Sequence, residues 1–421
     1  MNRTQRRRVV ITGLGAVTPV GNDVASTWQS LTAGRSGVGV NNTFDTSTFP
    51  VRIAGLVSDF QTPSTAGDAN ISRQAGFAIA ATTEAISDAG LDDGYHAPEA
   101  RGIAMGTSAG RISLEELARI LHDMHAGESG TVRPLDTAGV IGRDPSRVVA
   151  LLAELADCTG PSLNVSTACS GSAHAIGEAT RLIQSGGADV MLAGGFDSLT
   201  SWLDVLGFSL LQAITTDHPD EPWRASRPFD ADRSGFVLGE GAVVFVLEDY
   251  ESAISRGATI YAELSGYAAT MNAYRITDAP PDGGGCTAAM ADALADSGVA
   301  THEIGYIAAH GTSTPGNDLC ETVAVKSVFG ALARQVAISS VKSMTGHLTA
   351  GAGALNLLCA VLALRHRLIP PTINYETPDP RLDLDYVPNV ARPKQLTAAV
   401  VNAFAFGGTN ASFVVTSVGA A

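Results

Sequence analysis

The residues most able to do chemistry begin with Cys169. It lies in the stretch from Asn164 to Gly177, after an apolar run into Val165 and before a helical pattern that reaches about Ile183. Residues 166 to 173 are nearly all small, so little shields the thiol. A thiol at a helix start faces unpaired N–H groups and the positive end of the macrodipole, which favours thiolate. Thiolate is the form that attacks acyl carbonyls. A free cysteine is as often a small buried hydrophobe, and position alone leaves the two readings even.

Three further motifs shift that balance. His310-Gly-Thr-Ser-Thr-Pro-Gly-Asn-Asp318-Leu-Cys-Glu321 follows a buried-strand pattern and precedes a helix, which turns His310 toward a cleft. Thr312 and Thr314 offer hydroxyls to an amide-bearing ligand, although a turn capped by hydroxyls fits them equally. Lys342 and His347 stand five apart in a small-residue turn with apolar flanks and can converge on one point. Phe404 and Phe406 precede Gly407 and Gly408 in a loop whose N–H groups can donate. A cysteine, two histidines and a lysine suit acyl transfer through a thioester, with N–H groups holding the oxyanion. Neutral imidazoles could then stabilise an enolate left by decarboxylation. No metal-ligand spacing occurs. Gly13 and Gly15 after a strand partly match a dinucleotide loop, but the third glycine and the strand-end acid are missing.

These motifs sit at the ends of short apolar strands that alternate with helical patterns, as in α/β folds. Two halves are internally related, with a break near 255, giving a first half over 1–255 that carries Cys169 and a second over 256–421 that carries the His/Lys/His motifs. Strand Gly102–Met105 with its Gly-Thr-Ser-Ala-Gly loop parallels Ile304–Ala308 with His-Gly-Thr-Ser-Thr. Leu163 to Cys169 parallels Ala337 to Ser343, and Val243–Leu247 parallels Ser412–Val415. The apolar run from Leu348 to Leu364, rich in Gly and Ala, predicts a buried central helix rather than a membrane span. Ser198–Pro228 and Asn272–Gly285 read as loops able to form lids or partner surfaces.

The chain has 421 residues, 45% hydrophobic and 16% charged, enough for a large core. Its net charge of −15 excludes a basic nucleic-acid face. The five cysteines, Cys158, Cys169, Cys286, Cys320 and Cys359, show no paired spacing and fit a reducing cytoplasm. The apolar Val9-Val-Ile11 run is too short for a signal peptide.

Taken in order, Thr167-Ala-Cys169-Ser-Gly, Arg227-Pro-Phe-Asp through Gly241, His310-Gly-Thr-Ser-Thr-Pro, Lys342-Ser-Met-Thr-Gly-His347, Pro370-Pro-Thr-Ile-Asn374 and Phe404-Ala-Phe406-Gly-Gly-Thr-Asn410 resemble the β-ketoacyl-acyl-carrier-protein synthases. The resemblance runs from about Arg8 to Val415. It implies a thiolase-like α/β fold, five-layered αβαβα with two pseudo-duplicated halves, usually dimeric. It implies that Cys169 is acylated, that His310 and His347 support decarboxylation of a malonyl extender, and that Lys342 orders the His347 region and its charges. The N–H groups of Cys169 and Phe406 would form the oxyanion hole, Phe406 would also gate access, and Thr312 and Thr314 would hold the phosphopantetheine arm of an acyl carrier protein. No separate cofactor and no metal are implied.

Departures from that family add finer expectations. Asn356 stands where relatives usually carry Glu, and an uncharged amide cannot neutralise Lys342. Gln212 replaces a carrier-contacting Arg, Arg275 replaces a His, and Ala109 replaces a larger acyl-pocket residue, which points to a longer or bulkier chain. Glu248-Asp-Tyr-Glu, Asn272-Ala-Tyr and Gly316-Asn-Asp318 lean toward the catalytic ketosynthase subunit of a reducing type II polyketide system, paired with a chain-length partner that lacks the cysteine. The Phe406-Gly-Gly-Thr-Asn ending leans toward the homodimeric fatty-acid enzyme. A non-condensing partner subunit and a Cys/His hydrolase are the remaining alternatives. Because carrier proteins are usually acidic, an arginine patch near the tunnel mouth is expected, including Arg224 or Arg227.

Overall fold

The structure is a computed structural model and describes residues 6–63, 71–91, 94–108, 114–126 and 144–418. Ala109 lies outside the described residues.

In the first half, β1 (Val9–Val17), β2 (Val38–Val40), β3 (Ile53–Gly55), β4 (Arg101–Gly106), β5 (Ser162–Val165), β6 (Val190–Ser198) and β7 (Glu240–Asp249) follow one another. The second half carries β8 (Ala262–Met271), β9 (Ile304–Ala308), β10 (Ala337–Ser339), β11 (Leu368–Ile369), β12 (Arg392–Pro393), β13 (Ala398–Phe404) and β14 (Thr409–Thr416). β2 pairs with β3 and β11 with β12 in two small antiparallel ribbons.

The main strands run in the order β5-β4-β6-β7-β1 and continue as β8-β14-β13-β9-β10. Reading inward from either end, each half is parallel, parallel, antiparallel, antiparallel. β4 thus corresponds to β9, β5 to β10 and β7 to β14, the same pairs that the sequence repeats. The two five-stranded sheets meet through two residue pairs, Val10 with Glu263 and Ile11 with Ala262.

Three large hydrophobic clusters hold five layers together, the largest of them on both sides of the middle one. Helices Arg73–Ala89 and Pro145–Leu155 cover the outer face of the first sheet. Helices Gly284–Ser297 and Pro315–Phe329 cover the outer face of the second. Between the sheets lie Gly171–Gln184 and Ala352–His366, in the largest core. Ala352–His366 is buried from Ala352 through Leu364, so its all-round apolar surface serves packing, as expected. Together with the turn that leads into it, over Thr349–His366, it is the one helical stretch among the described residues that is long and apolar enough to cross a membrane, and it sits inside the molecule.

Glycine permits the close layer contacts. A Cβ on Gly15 would lie 1.8 Å from the Ala81 carbonyl oxygen. Gly13 and Gly15 both lie within β1, so they seat the Arg73–Ala89 helix rather than open a phosphate loop. The segment read as loop over Ser198–Pro228 contains a helix, Trp202–Leu210, closed at its start by a Ser201–Asp204 capping box.

Candidate active site

The strand ends of the two halves face each other across the central helices and enclose a cavity of about 320 Å³. Cys169, His310, His347, Thr312, Thr314 and Phe406 all line it. Four motifs far apart in sequence therefore converge, as expected. Gln212 also lines the cavity mouth, whereas Arg275 is exposed and paired to Asp278 at 3.1 Å.

Cys169 lies in a 3-10 turn, Ala168–Ser170, just before the Gly171–Gln184 helix. Ala168 has φ of 47°, a left-handed conformation that costs a non-glycine residue about 1 kcal/mol. A Cβ on Gly106 would strike the Gly171 carbonyl carbon at 2.2 Å, so this glycine lets the helix start press against β4. The small residues around Cys169 serve that approach as well as access. Thr409 ties the turn to the Phe406 loop: its hydroxyl meets Ser170 Oγ at 2.8 Å.

The expectation of a thiolate favoured by the helix start needs correction. Cys169 is partly accessible, yet burial around its sulfur pushes the thiol up to about 11. Lys342 pulls it down, the Asp197 carboxylate pushes it up, and the N–H groups of Phe406 and Cys169 pull it down. The last pair is informative in its own right. Both N–H groups act on the Cys169 sulfur.

The His310 and His347 rings are 5.4 Å apart between centroids, edge to face. Burial, then the Lys342 charge, hold both well below the ordinary imidazole range, and His347 further lowers His310. Both rings are therefore neutral at pH 7. His347 Nδ1 accepts from the Thr349 N–H at 3.2 Å, which places its proton on Nε2. His310 Nδ1 is buried with no hydrogen-bond partner among the described residues.

Lys342 is fully enclosed, and its Nζ donates to the His310 carbonyl at 2.6 Å. It braces the His310 loop as well as the turn before His347, where its carbonyl accepts from the Gly346 N–H at 3.0 Å. Burial lowers it to about 8, against the upward pull of Glu321, Cys169 and Asp318. Glu321 and Asp318 are the carboxylates facing Lys342 in place of the one absent at Asn356. Glu321 accepts from the N–H groups of His310 and Gly311, each at 2.8 Å. Asp318 accepts from the Thr312 N–H at 3.0 Å. The Thr312 and Thr314 hydroxyls meet at 2.9 Å, and Thr314 caps the Pro315–Phe329 helix.

Asp197 was not singled out by the sequence. It is buried at the end of β6 and accepts from the Ser108 and Thr349 hydroxyls and the Ala350 N–H. The two arginines named for a carrier-facing patch are both paired with carboxylates. Arg227 is buried against Asp230 at 3.0 Å and Glu376 at 3.1 Å, and Arg224 bonds Glu376 and Glu221. Both guanidiniums are neutralised by carboxylates of the same chain.

Against this geometry, residues 6–253 match the model of the beta-ketoacyl synthase N-terminal domain and residues 261–376 that of its C-terminal domain. The chain belongs to the β-ketoacyl synthase family. This synthase is 42% identical to the 3-oxoacyl-[acyl-carrier-protein] synthase 2 of Synechocystis sp., over 97% of this chain and 98% of that one. It superimposes with a TM-score of 0.90 and 33% identity on a type II polyketide ketosynthase solved in complex with its acyl-carrier protein, covering 98% of this chain and 100% of that one. The ishigamide ketosynthase/chain length factor follows at a TM-score of 0.88 and 33% identity, over 98% and 100% of the two chains. The thiolase-like expectation holds, and the synthase is a condensing enzyme of the acyltransferase type.

Proposed function

We propose that this synthase extends acyl chains held on an acyl carrier protein as a 3-oxoacyl-acyl-carrier-protein synthase of the fatty-acid type. The observation that carries the reading is the convergence of Cys169, two neutral imidazoles and two inward N–H groups on one cavity.

In the first step the Cys169 sulfur attacks the acyl thioester carbonyl. The oxyanion is held by the N–H groups of Cys169 and Phe406. Collapse expels the carrier thiolate, which takes the proton that Cys169 gave up. Malonyl-carrier then enters along Thr312 and Thr314. Its carboxylate leaves as carbon dioxide, and the electron pair of the broken carbon–carbon bond passes into the thioester as an enolate. His347 donates from Nε2 to the enolate oxygen, and His310 faces the same oxygen. The enolate carbon attacks the Cys169 thioester, and a second tetrahedral intermediate collapses with loss of the Cys169 thiolate. That thiolate is reprotonated, leaving a 3-oxoacyl group on the carrier and one proton consumed. Phe406, packed 6.2 Å from Phe236, moves to admit each substrate.

The identity of 42% to a 3-oxoacyl-[acyl-carrier-protein] synthase 2 favours this reading over the polyketide subunit toward which several short motifs lean. It also favours a homodimer. β5 is an outer strand with one edge unpaired, and Ser162 and Asn164 are exposed on it, which fits a second copy pairing along that edge. A second reading, a ketosynthase paired with a chain-length factor, draws on the 0.90 and 0.88 structural matches. The five free cysteines suit a reducing cytoplasm. Purified alone with acyl- and malonyl-carrier, the chain should form 3-oxoacyl-carrier as a homodimer. Inactivity that a co-expressed partner chain relieves would decide for the second reading.

A further inference from the structure

Behind His310 lies a buried amide to which no role has been given. Asn356 is 2% exposed, and its Nδ2 donates to two backbone carbonyls, Ala309 and Asn402, each at 2.9 Å. Ala309 directly precedes His310 at the end of β9. Asn402 lies in β13, which runs out through Phe404 to the Phe406 turn. β9 and β13 are parallel neighbours whose last paired residues are Ala308 and Val401. The amide therefore straps two strands together at the point where their pairing ends and their loops diverge into the cavity.

Carbonyl oxygens only accept. The group at this point must therefore donate twice, and an asparagine amide does so from one nitrogen. A carboxylate there would set its lone pairs against two carbonyl oxygens. The charge facing Lys342 is accordingly carried by Glu321, whose Oε1 also accepts from Asn402 Nδ2 at 2.9 Å. Asn356, Asn402 and Glu321 form one hydrogen-bonded bridge from the His310 backbone to the strand leading to Phe406.

We propose that Asn356 is a positioning residue that fixes the His310 imidazole by holding the Ala309 and Asn402 carbonyls on a single amide. The inference rests on the condensing reading above. It predicts that decarboxylation depends on the donor count at position 356, while the thiol, delivered by the other half of the molecule, does not.

The test uses the full chain as Asn356→Asp and Asn356→Leu, with malonyl-carrier decarboxylation, iodoacetamide capture of Cys169 and thermal unfolding as readouts. Wild-type turnover tests the condensing reading by itself, and the variant-to-wild-type ratio tests the inference. The aspartate is near-isosteric and donates once when protonated. The titratable groups around the bridge are Lys342, Glu321, Asp318, His310, His347, Cys169 and Cys359, all present in both proteins. Asn356→Asp should lower kcat for decarboxylation on the order of 10²-fold at pH 8, the size of a small misplacement of a reacting group. KM should stay within about twofold, and the deficit should shrink as pH falls toward 6 and the acid regains a proton. Cys169 capture and the unfolding midpoint should stay near wild type. Asn356→Leu, with no donor, should show the same loss at every pH. Wild-type decarboxylation in both variants would overturn the proposal. So would an Asn356→Asp loss that ignores pH, or one that tracks lost Cys169 capture and a lowered unfolding midpoint.

Discussion

The Thr349 backbone N–H donates to His347 Nδ1, and the Thr349 hydroxyl donates to the buried Asp197 carboxylate. This arrangement fixes the His347 proton on Nε2 of a ring that lines the cavity. Thr349 itself has φ of 47°, so the turn is held in a left-handed shape that Asp197 stabilises by also accepting the Ala350 N–H. Asp197 is thus an anchor for His347 and a negative charge near Cys169.

Replacing Asp197 with Asn separates those two effects. The charge that raises the Cys169 thiol disappears, so iodoacetamide should alkylate Cys169 several-fold faster at pH 8, the effect of a thiol made a fraction of a unit more acidic. Decarboxylation should fall only about threefold, because the Ser108 and Thr349 hydroxyls and the Ala350 N–H all donate to one carboxylate oxygen whose place the amide oxygen can take, which leaves only the Ser198 N–H opposed by the amide nitrogen. Alkylation slower than wild type would contradict the assigned charge effect.

Lys342 acts on the same thiol from the other side. Its positive charge lowers Cys169, and it deprotonates at about 8. Lys342→Met should therefore slow Cys169 alkylation roughly tenfold at pH 7, a one-unit change in the thiol. The difference should close above about pH 9, where the wild-type lysine is neutral as well. A constant ratio from pH 7 to pH 10 would show that the lysine acts by packing alone.

Both imidazoles stay neutral below the usual range. Protonation would abolish the lone pair that His347 Nδ1 uses to accept from Thr349. An ordinary imidazole is about three-quarters protonated at pH 6. The downward shifts of His310 and His347 predict that malonyl-carrier decarboxylation at pH 6 stays within about twofold of its pH 7 value. A fall following a group near pH 6.5 would place at least one ring in a more solvated setting than the structure gives it.

The residues that sequence identified share one property: each sits in a short contiguous motif at a strand end. Cys169, His310, Lys342, His347 and Phe406 were legible for that reason, and so was the duplication, because β4 and β9 carry similar loops. The ten-strand order followed less directly, since β1 and β8 meet through two pairs only. Asp197 and Thr349 were not legible, because a lone acid after β6 and a threonine beside His347 gain meaning only when the chain brings them together. Glu321 was within reach: it stands three residues after Asp318 on the helix following His310, so both carboxylates turn toward the same loop. The pairing of Arg224 and Arg227 was only half legible. Each has a carboxylate three residues away, Glu221 for Arg224 and Asp230 for Arg227, whereas the Glu376 that both share arrives from far along the chain. Asn356 was noticed as a departure, but its two carbonyl partners are a tertiary fact.

The most direct test of the central claim is intact-protein mass spectrometry after mixing the chain with an acyl-carrier donor and no malonyl-carrier. The account predicts one acyl group added per chain, located on Cys169 by peptide mapping, absent in Cys169→Ala, and discharged with formation of 3-oxoacyl-carrier when malonyl-carrier is added. Acylation at another residue, or condensation by Cys169→Ala at the wild-type rate, would contradict it.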